Sequence, residues 1–512
     1  MLLKGNRAIM SQYSLEKTLM DFSNELGESK WTIRDAVEGV QIFGSNGSGK
    51  TSGSGKMLAR KYLENGFGGL ILTVKPDEAD LWMNYCQKYN RMDDLILVEP
   101  RIKEVFNFLE YETSKKLDGL NLTENIVQVL KTVVQASEQK SGSGGGDGAF
   151  WEDSLDSLMS HTVDLCLLAY DKVTVKDLYE IVQSLPKRDS AKEAEEKKEK
   201  PLTPYEKAFT TAQAKYDKIH QEWKEGLTPE QLLSFTDPHD YMNALCEDYP
   251  ICRTLHMVDN FFNEFYIDLN PKTRSIIDFS FSNFLFRLLK DPVYSMFCKG
   301  TSTWTPEDCL DGKIILINLP VKIYHKVGRD AQILVKYIWQ RAMEKRDTKK
   351  NDRPVFLWAD EAQHFLHEHD ADTQATARSS RIYTVYLTQN LPNYNSTMGG
   401  NRYKEKVSSF LGTLGTKIFH SNGEPETNAF GSTLIGDIEV PKHSQTINPL
   451  EPLSESITEH FDFQKIVRPE DFIRLKTGGS SNRGIVEAFI YRHGDPFLLG
   501  LNVQKVSFSQ NQ

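Results

Sequence analysis

The sequence predicts an α/β fold: a mostly parallel central sheet with an all-α block inserted into it. Three observations carry this reading. From Val40 onward short apolar, β-rich runs alternate with helical stretches, a glycine-rich loop joins the first run to a helix, and a long stretch of helical spacing separates the third run from the fourth.

Taken in order, the expected strands are Val40 to Phe43, Leu70 to Val74, Leu95 to Val98, Lys313 to Leu319, Val355 to Trp358, Ile382 to Leu387 and Thr416 to His420. Each is short and apolar enough to lie buried between two layers of helices. Residues 141–148, SGSGGGDG, carry too much backbone freedom for regular structure and read as a linker. From Trp151 to about Cys298 the spacing is helical: Leu155, Leu158, Met159, Thr162, Val163, Cys166 and Leu167 form one stripe, read as a helical core rather than a partner groove. Lys192 to Lys200 is a mixed charge run, a solvated helix face or a loop. The last 70 residues return to apolar runs, Val486 to Tyr491 and Phe497 to Val503, that would add closing strands. The expected division is therefore a nucleotide-binding first part at 1–140, a Gly-rich linker at 141–150, an all-α domain at 151–300, a second nucleotide-binding part at 301–445 and closing strands at 446–512.

Composition limits the function classes. With 512 residues, 39% hydrophobic and 26% charged, the chain is globular, with room for two to four folded units. A net charge of -10 argues against coating nucleic acid over the whole surface, although a basic pore fits inside an acidic average. Six scattered cysteines without a Cys-x-x-Cys pair suit a reducing compartment. No run approaches the roughly 18–20 apolar residues that span a bilayer, and the N-terminus lacks a signal-peptide core, so a cytoplasmic protein is expected.

The chemistry sits in the loop after the first strand. Gly44, Ser45, Asn46, Gly47, Ser48, Gly49, Lys50 and Thr51 form the pattern G-x-x-x-x-G-K-[ST] between a strand and a helix. There glycines let successive backbone N–H groups converge on phosphate, and the helix start adds positive potential. Lys50 supplies a point charge for the outer phosphates, the Thr51 hydroxyl an oxygen ligand for Mg²⁺, and Ser52 continues the cradle. A second Gly-Ser-Gly-Lys at 53–56 precedes Met57, which cannot ligate Mg²⁺, so the first register stands. Close packing or a flexible first turn would account for Gly53 and Gly55.

Pro354 to Glu361 is an apolar strand ending in two acids, the Walker B arrangement: Asp360 would hold the Mg²⁺ shell and Glu361 polarise the attacking water. Gln389, just past the strand Ile382 to Leu387, is either a γ-phosphate sensor or a turn residue before Leu391-Pro392. Arg378 and Arg381 are surface cations or, for one of them, a charge offered to a neighbouring subunit's nucleotide.

These pieces, in this order, resemble the FtsK/HerA superfamily of ring ATPases and most closely the TraG/TraD-like coupling proteins of conjugation and type IV secretion. The resemblance rests on GSNGSGKT at 44–51, VKPD at 74–77, VFNFL at 105–109, KIILINLP at 313–320, FLWADEAQHF at 356–365, YLTQNLPNY at 386–394 and TKIFHSNGEPETNAFGSTLIG at 416–436. It implies a RecA-like P-loop NTPase domain with an inserted all-α domain, ATP and Mg²⁺ as cofactors, and a homo-hexamer that threads DNA through a central pore. It also implies Gln389 as sensor, Arg378 as a finger acting across the subunit interface, and relaxosome or secretion-channel proteins as partners. Coupling proteins of this kind begin with two membrane-spanning helices, whereas about 40 residues precede the loop here. The anchor is then a separate subunit that makes this chain peripheral at the inner membrane, or the chain is a soluble variant. The alternative is a soluble ring ATPase of a defence or other intracellular assembly that drives a partner protein; hydrolysis stimulated by DNA separates the two.

Overall fold

The computed structural model describes residues 12–23, 28–117, 120–121, 123–138, 148–186, 201–398, 403–447, 455–494, 496–497 and 500–510. The chain divides into two compact units. One comprises Met1–Ile96, Pro306–Asn318 and Trp339–Gln512, the other Leu97–Thr305 and Leu319–Ile338.

The first unit is organised by a nine-stranded sheet. In chain order its strands are β1 (Val40–Phe43), β2 (Gly68–Leu72), β3 (Leu95–Val98), β4 (Ile314–Ile317), β5 (Val355–Ala359), β6 (Ile382–Thr388), β7 (Thr416–His420), β8 (Ile485–Arg492) and β9 (Val503–Ser509). In space they run β9-β8-β7-β1-β6-β5-β2-β4-β3. From β7 to β4 every neighbouring pair is parallel, and β8 and β9 close the sheet antiparallel. Every residue of β1, β2, β4, β5, β6 and β7 is buried, as expected for strands covered on both faces. The fold class read from the sequence is therefore the observed one.

Register does the positioning. Phe43 lies opposite both Thr388 and Phe419, and Ala359 lies opposite both Tyr386 and Leu72. Because these strands are parallel, their C-terminal ends share one edge, and the segments beginning at Gly44, Asp360, Gln389, Ser421 and Thr73 all leave from it. The second strand starts at Gly68 rather than Leu70 because Gly69 lies under the Phe356 ring, where a Cβ would come within 2.6 Å of it. It ends at Leu72 because the Val74 amide turns away to donate to Glu78 Oε2 at 2.7 Å. On one side of the sheet Tyr62, Phe67, Phe356 and Tyr383 pack with ring centroids 5.0–5.7 Å apart. Each such side chain contributes about 1.5–3 kcal/mol by burial.

Of the C-terminal run Phe497 to Val503, only Val503 is strand among the described residues: the Phe497 amide donates to the Leu501 carbonyl at 2.6 Å, Gly500 has φ +73°, and the strand begins at Val503. A further element, not anticipated, is an antiparallel ribbon pairing Asp437–Ile447 with Glu455–Lys465. It is mostly polar and leaves Phe461 and Phe463 exposed on one face.

The second unit is helical over most of its described residues. Gly148–Tyr170 buries Leu158, Met159, Thr162, Val163 and Cys166, so the stripe is core. Helices Pro204–Gly226, Pro229–Ser234, Pro238–Asp248, Pro250–Asn260 and Pro271–Leu288 each open on proline, which suits the first helical position because no N–H partner is needed there. Thr203 with Glu206, and Thr228 with Gln231, add capping boxes. Residues 141–147 of the expected linker and the charge run 192–200 lie outside the described residues, and residues 148–150 already belong to a helix.

Candidate active site

The loop 44–51 is held at its entry by two neighbouring strand ends: the Gly44 amide donates to the Thr388 carbonyl at 3.3 Å and the Ser45 amide to the Ser421 carbonyl at 3.0 Å. Gly47 and Gly49 take φ +74° and +85°, which curls the backbone as a phosphate cradle needs. Gly49 is also sterically required, since a Cβ would lie 2.6 Å from Val486. Asn46 is exposed. Ser48 is buried and its hydroxyl has no hydrogen-bond partner in the protein. The Lys50 ammonium, also buried, has Glu361 Oε1 3.9 Å away. A curled backbone, an orphaned hydroxyl and a buried lysine are a donor set that fits a polyphosphate.

The second Gly-Ser-Gly-Lys now has an account. Thr51–Gly55 is a single π-helical turn in which the Gly55 amide reaches the Lys50 carbonyl at 2.9 Å. A Cβ on Gly55 would sit 2.9 Å from that same carbonyl, and one on Gly53 would sit 3.0 Å from Val486. Between them Ser54 Oγ is hydrogen-bonded to His420 Nε2 at 2.7 Å. Burial pushes the His420 imidazole down to about 3, and the Lys50 charge adds to this, so the ring is neutral. Ser52 accepts from Gln510 Nε2 at 2.7 Å, which ties the turn to the end of β9.

The two acids after β5 meet this loop. Thr51 Oγ1 donates to Asp360 Oδ2 at 2.7 Å, and Asp360 Oδ1 accepts from the Glu361 amide at 2.9 Å. Glu361 takes the left-handed conformation, φ 53° and ψ 50°, which costs a non-glycine residue about 1–2 kcal/mol. Its carboxylate accepts from Gln363 Nε2 at 2.8 Å and Gln389 Nε2 at 3.2 Å. Burial pushes the Glu361 carboxyl up, but the Gln363 bond, the Lys50 charge, the Gln389 bond and the Lys75 charge together hold it below the usual carboxylate range. The group is an ionised base at neutral pH.

Gln389 is thus in the pocket. Arg378 is not: among the described residues its guanidinium, half exposed, pairs with Glu38 at 3.5 Å. Sequence reasoning passed over four residues that build the site. Gln363 bridges Glu361 to Thr388, whose hydroxyl donates to Gln363 Oε1 at 2.9 Å. Asn422 accepts from Ser45 Oγ at 3.0 Å and donates to the Gln389 carbonyl at 2.9 Å, linking the loop to the sensor position. Lys75 and Glu78 follow β2; burial, then the Asp360 charge, pushes the Glu78 carboxyl up to about 8. Only the strand-end position of Lys75 gave any signal beforehand.

Residues 354–477 match the family described as the TraM recognition site of TraD and TraG. Over this segment the chain is similar to the TraD and TraG family. The segment carries Asp360, Glu361, Gln363, Gln389 and Asn422, that is, the acid and amide half of the site. No curated protein matches this chain as a relative. Among solved structures it is similar to the bacterial conjugative coupling protein TrwBdeltaN70 in an unbound form, at 12% identity and a TM-score of 0.56, covering 94% of this chain and 87% of that one. It is similar as well to the plasmid coupling protein TrwB in complex with the non-hydrolysable GTP analogue GDPNP (12%, TM-score 0.55, 94% and 88%) and in complex with ADP and Mg²⁺ (12%, 0.55, 94% and 87%). At that identity the likeness establishes a shared fold, RecA-like with an all-α domain. Among the described residues no helix is long and apolar enough to cross a membrane, and no group of three or more His, Cys, Asp or Glu is placed to hold a metal ion.

Proposed function

We propose that this chain is an ATP-hydrolysing motor of the conjugative coupling type. In this reading it assembles as a homo-hexamer, moves DNA through a central pore, and docks on a relaxosome protein of the TraM kind or on secretion-channel proteins. It would work at the cytoplasmic face of the inner membrane. One observation carries the enzymatic part: the Thr51 hydroxyl is hydrogen-bonded to Asp360 while Glu361, ionised, lies beside Lys50 and Gln389.

Residues 44–52 would bind the phosphates, with the Ser48 hydroxyl and Lys50 directed at them. Thr51 and Asp360 would hold Mg²⁺, which when bound polarises the phosphate oxygens. Glu361 would take the proton of the attacking water; Gln363 and Gln389 orient its two oxygens and disfavour its protonation. Gln389 bonds both Glu361 and, through its own carbonyl, Asn422, so its position is coupled to the loop through Ser45. Arg378 would act on a neighbouring subunit's site, a reading supported by its half-exposed guanidinium.

The test is ATP hydrolysis with and without single- and double-stranded DNA, alongside particle mass with nucleotide. DNA-stimulated turnover in a six-fold ring is the expected result. Turnover indifferent to DNA but raised by a partner protein would replace the translocase reading. Glu361→Gln should keep ATP binding and lose hydrolysis by about 10²–10⁴-fold, and Lys50→Ala should lose turnover.

A further inference from the structure

The turn after β2 places a second lysine against the acids. Lys75 Nζ lies 3.8 Å from Asp360 Oδ2, 3.8 Å from Glu78 Oε1 and 4.0 Å from Glu361 Oε1. These separations exceed a hydrogen bond, so the ammonium acts through its charge and makes no directional contact that would pin it. Its side chain is 33% exposed, which leaves it a path to solvent. The backbone beneath it is fixed: Glu78 Oε2 caps the Val74 amide at 2.7 Å and the Glu78 amide donates to the Lys75 carbonyl at 3.4 Å. Glu78 Oε1 accepts no hydrogen bond, so Lys75 is what faces it. Asp360 Oδ2, nearest to Lys75 among the Walker B atoms, is the same oxygen that accepts from Thr51.

We infer that Lys75 is the resident counter-cation of Asp360 and Glu361 before Mg²⁺ enters, and that it withdraws toward solvent when the divalent ion arrives with nucleotide. Lys75 is then a positioning residue that sets how much Mg²⁺ the site requires. The physical reason is that an ammonium and a divalent cation cannot both sit at Asp360 without mutual repulsion. This inference rests on the nucleotide reading above.

The experiment is the Mg²⁺ dependence of fluorescent mant-ADP binding to the full chain, with the melting temperature of each variant as a check on folding. Lys75→Met and, as a second variant, Lys75→Gln should lower the Mg²⁺ midpoint about tenfold, equivalent to about 1.4 kcal/mol. Lys75→Arg, which keeps the charge, should stay near wild type. An unchanged midpoint in both neutral variants overturns the inference. A raised midpoint also overturns it, since Lys75 would then serve the phosphates directly. If the wild-type chain shows no Mg²⁺-dependent mant-ADP binding, the nucleotide reading fails first and takes this inference with it; if it binds and only the midpoint shift is missing, the nucleotide reading survives.

Discussion

Replacing glycine with alanine usually stabilises a helix, so Gly55→Ala is a sensitive probe of the π-turn behind the loop 44–51. In a helix interior the change is worth up to about 1 kcal/mol in favour of alanine. Here the new methyl would sit 2.9 Å from the Lys50 carbonyl, a backbone atom that cannot swing aside, with Leu387 at 3.4 Å and Trp358 at 3.6 Å. Overpacking of this kind costs about 1–3 kcal/mol, and opening the Gly55 to Lys50 hydrogen bond costs about 0.5–1.5 kcal/mol more. The sum is a net loss of about 0.5–3.5 kcal/mol after a helix gain of about 1 kcal/mol is subtracted. Gly412→Ala is the matched control in the same unit. It closes the helix Tyr403–Gly412, and its added methyl meets nothing within 4 Å, so the midpoint should rise or hold. Urea unfolding followed by tryptophan fluorescence reads both, since Trp82 and Trp358, 5.2 Å apart, flank the turn. If Gly55→Ala raises the midpoint as Gly412→Ala does, the turn is not crowded and the account of the second Gly-Ser-Gly-Lys is wrong.

Three further outcomes follow from the site. Glu78 titrates at about 8, above its unfolded value of 4.5, so the folded chain binds the extra proton and stability falls as pH rises from about 4.5 to 8. Glu78→Gln should flatten that limb of the pH–stability curve, and a curve that keeps its full slope removes the buried carboxyl as its cause. His420 works the other way: held down to about 3 by burial, it withholds stability as pH falls from about 6.5 toward 3, and His420→Gln should broaden the acid side of the same curve. If Arg378 acts across an interface, mixing Arg378→Ala with Lys50→Ala subunits should restore part of the hydrolysis that each lacks alone; no restoration in any mixing ratio ends the trans role.

What the sequence made legible follows from how locally each feature is encoded. Strands such as Ile382–Thr388 read correctly because a parallel strand covered on both faces is apolar at every position, and no tertiary knowledge is needed to see that. Residues 44–51, and Asp360 with Glu361, could be singled out in the same way, because adjacent residues supply the pattern. The bridging groups were hidden because their partners are remote: Ser45 meets Asn422, and Ser52 meets Gln510, across most of the chain. Gln363 looked like any polar residue of a short turn, and only the register of β5 beside β6 brings it to Thr388. The ribbon Asp437–Ile447 with Glu455–Lys465 went unseen because its described side chains, at 437–442 and 459–465, are buried on neither face, so no period-2 burial signal is written there.

The antiparallel strands β8 and β9 do more than close the sheet. Val486, on β8, is the atom wall that excludes a side chain from both Gly49 and Gly53, and the Glu487 carbonyl is hydrogen-bonded to His420 Nδ1 at 3.1 Å, fixing the ring that meets Ser54. Gln510, past the end of β9, reaches Ser52 with its amide and accepts from Lys56 Nζ through its carbonyl at 2.9 Å. The loop is therefore gripped from behind along its first helical turn, at Gly49, Ser52, Gly53, Ser54 and Lys56. Small residues recur through this segment because another strand occupies the space their side chains would need. A substitution at Val486 or Gln510, about 430 residues or more from the loop in sequence, should thus alter the shape of the loop 44–51, whereas one at the exposed Asn46 should leave that shape intact.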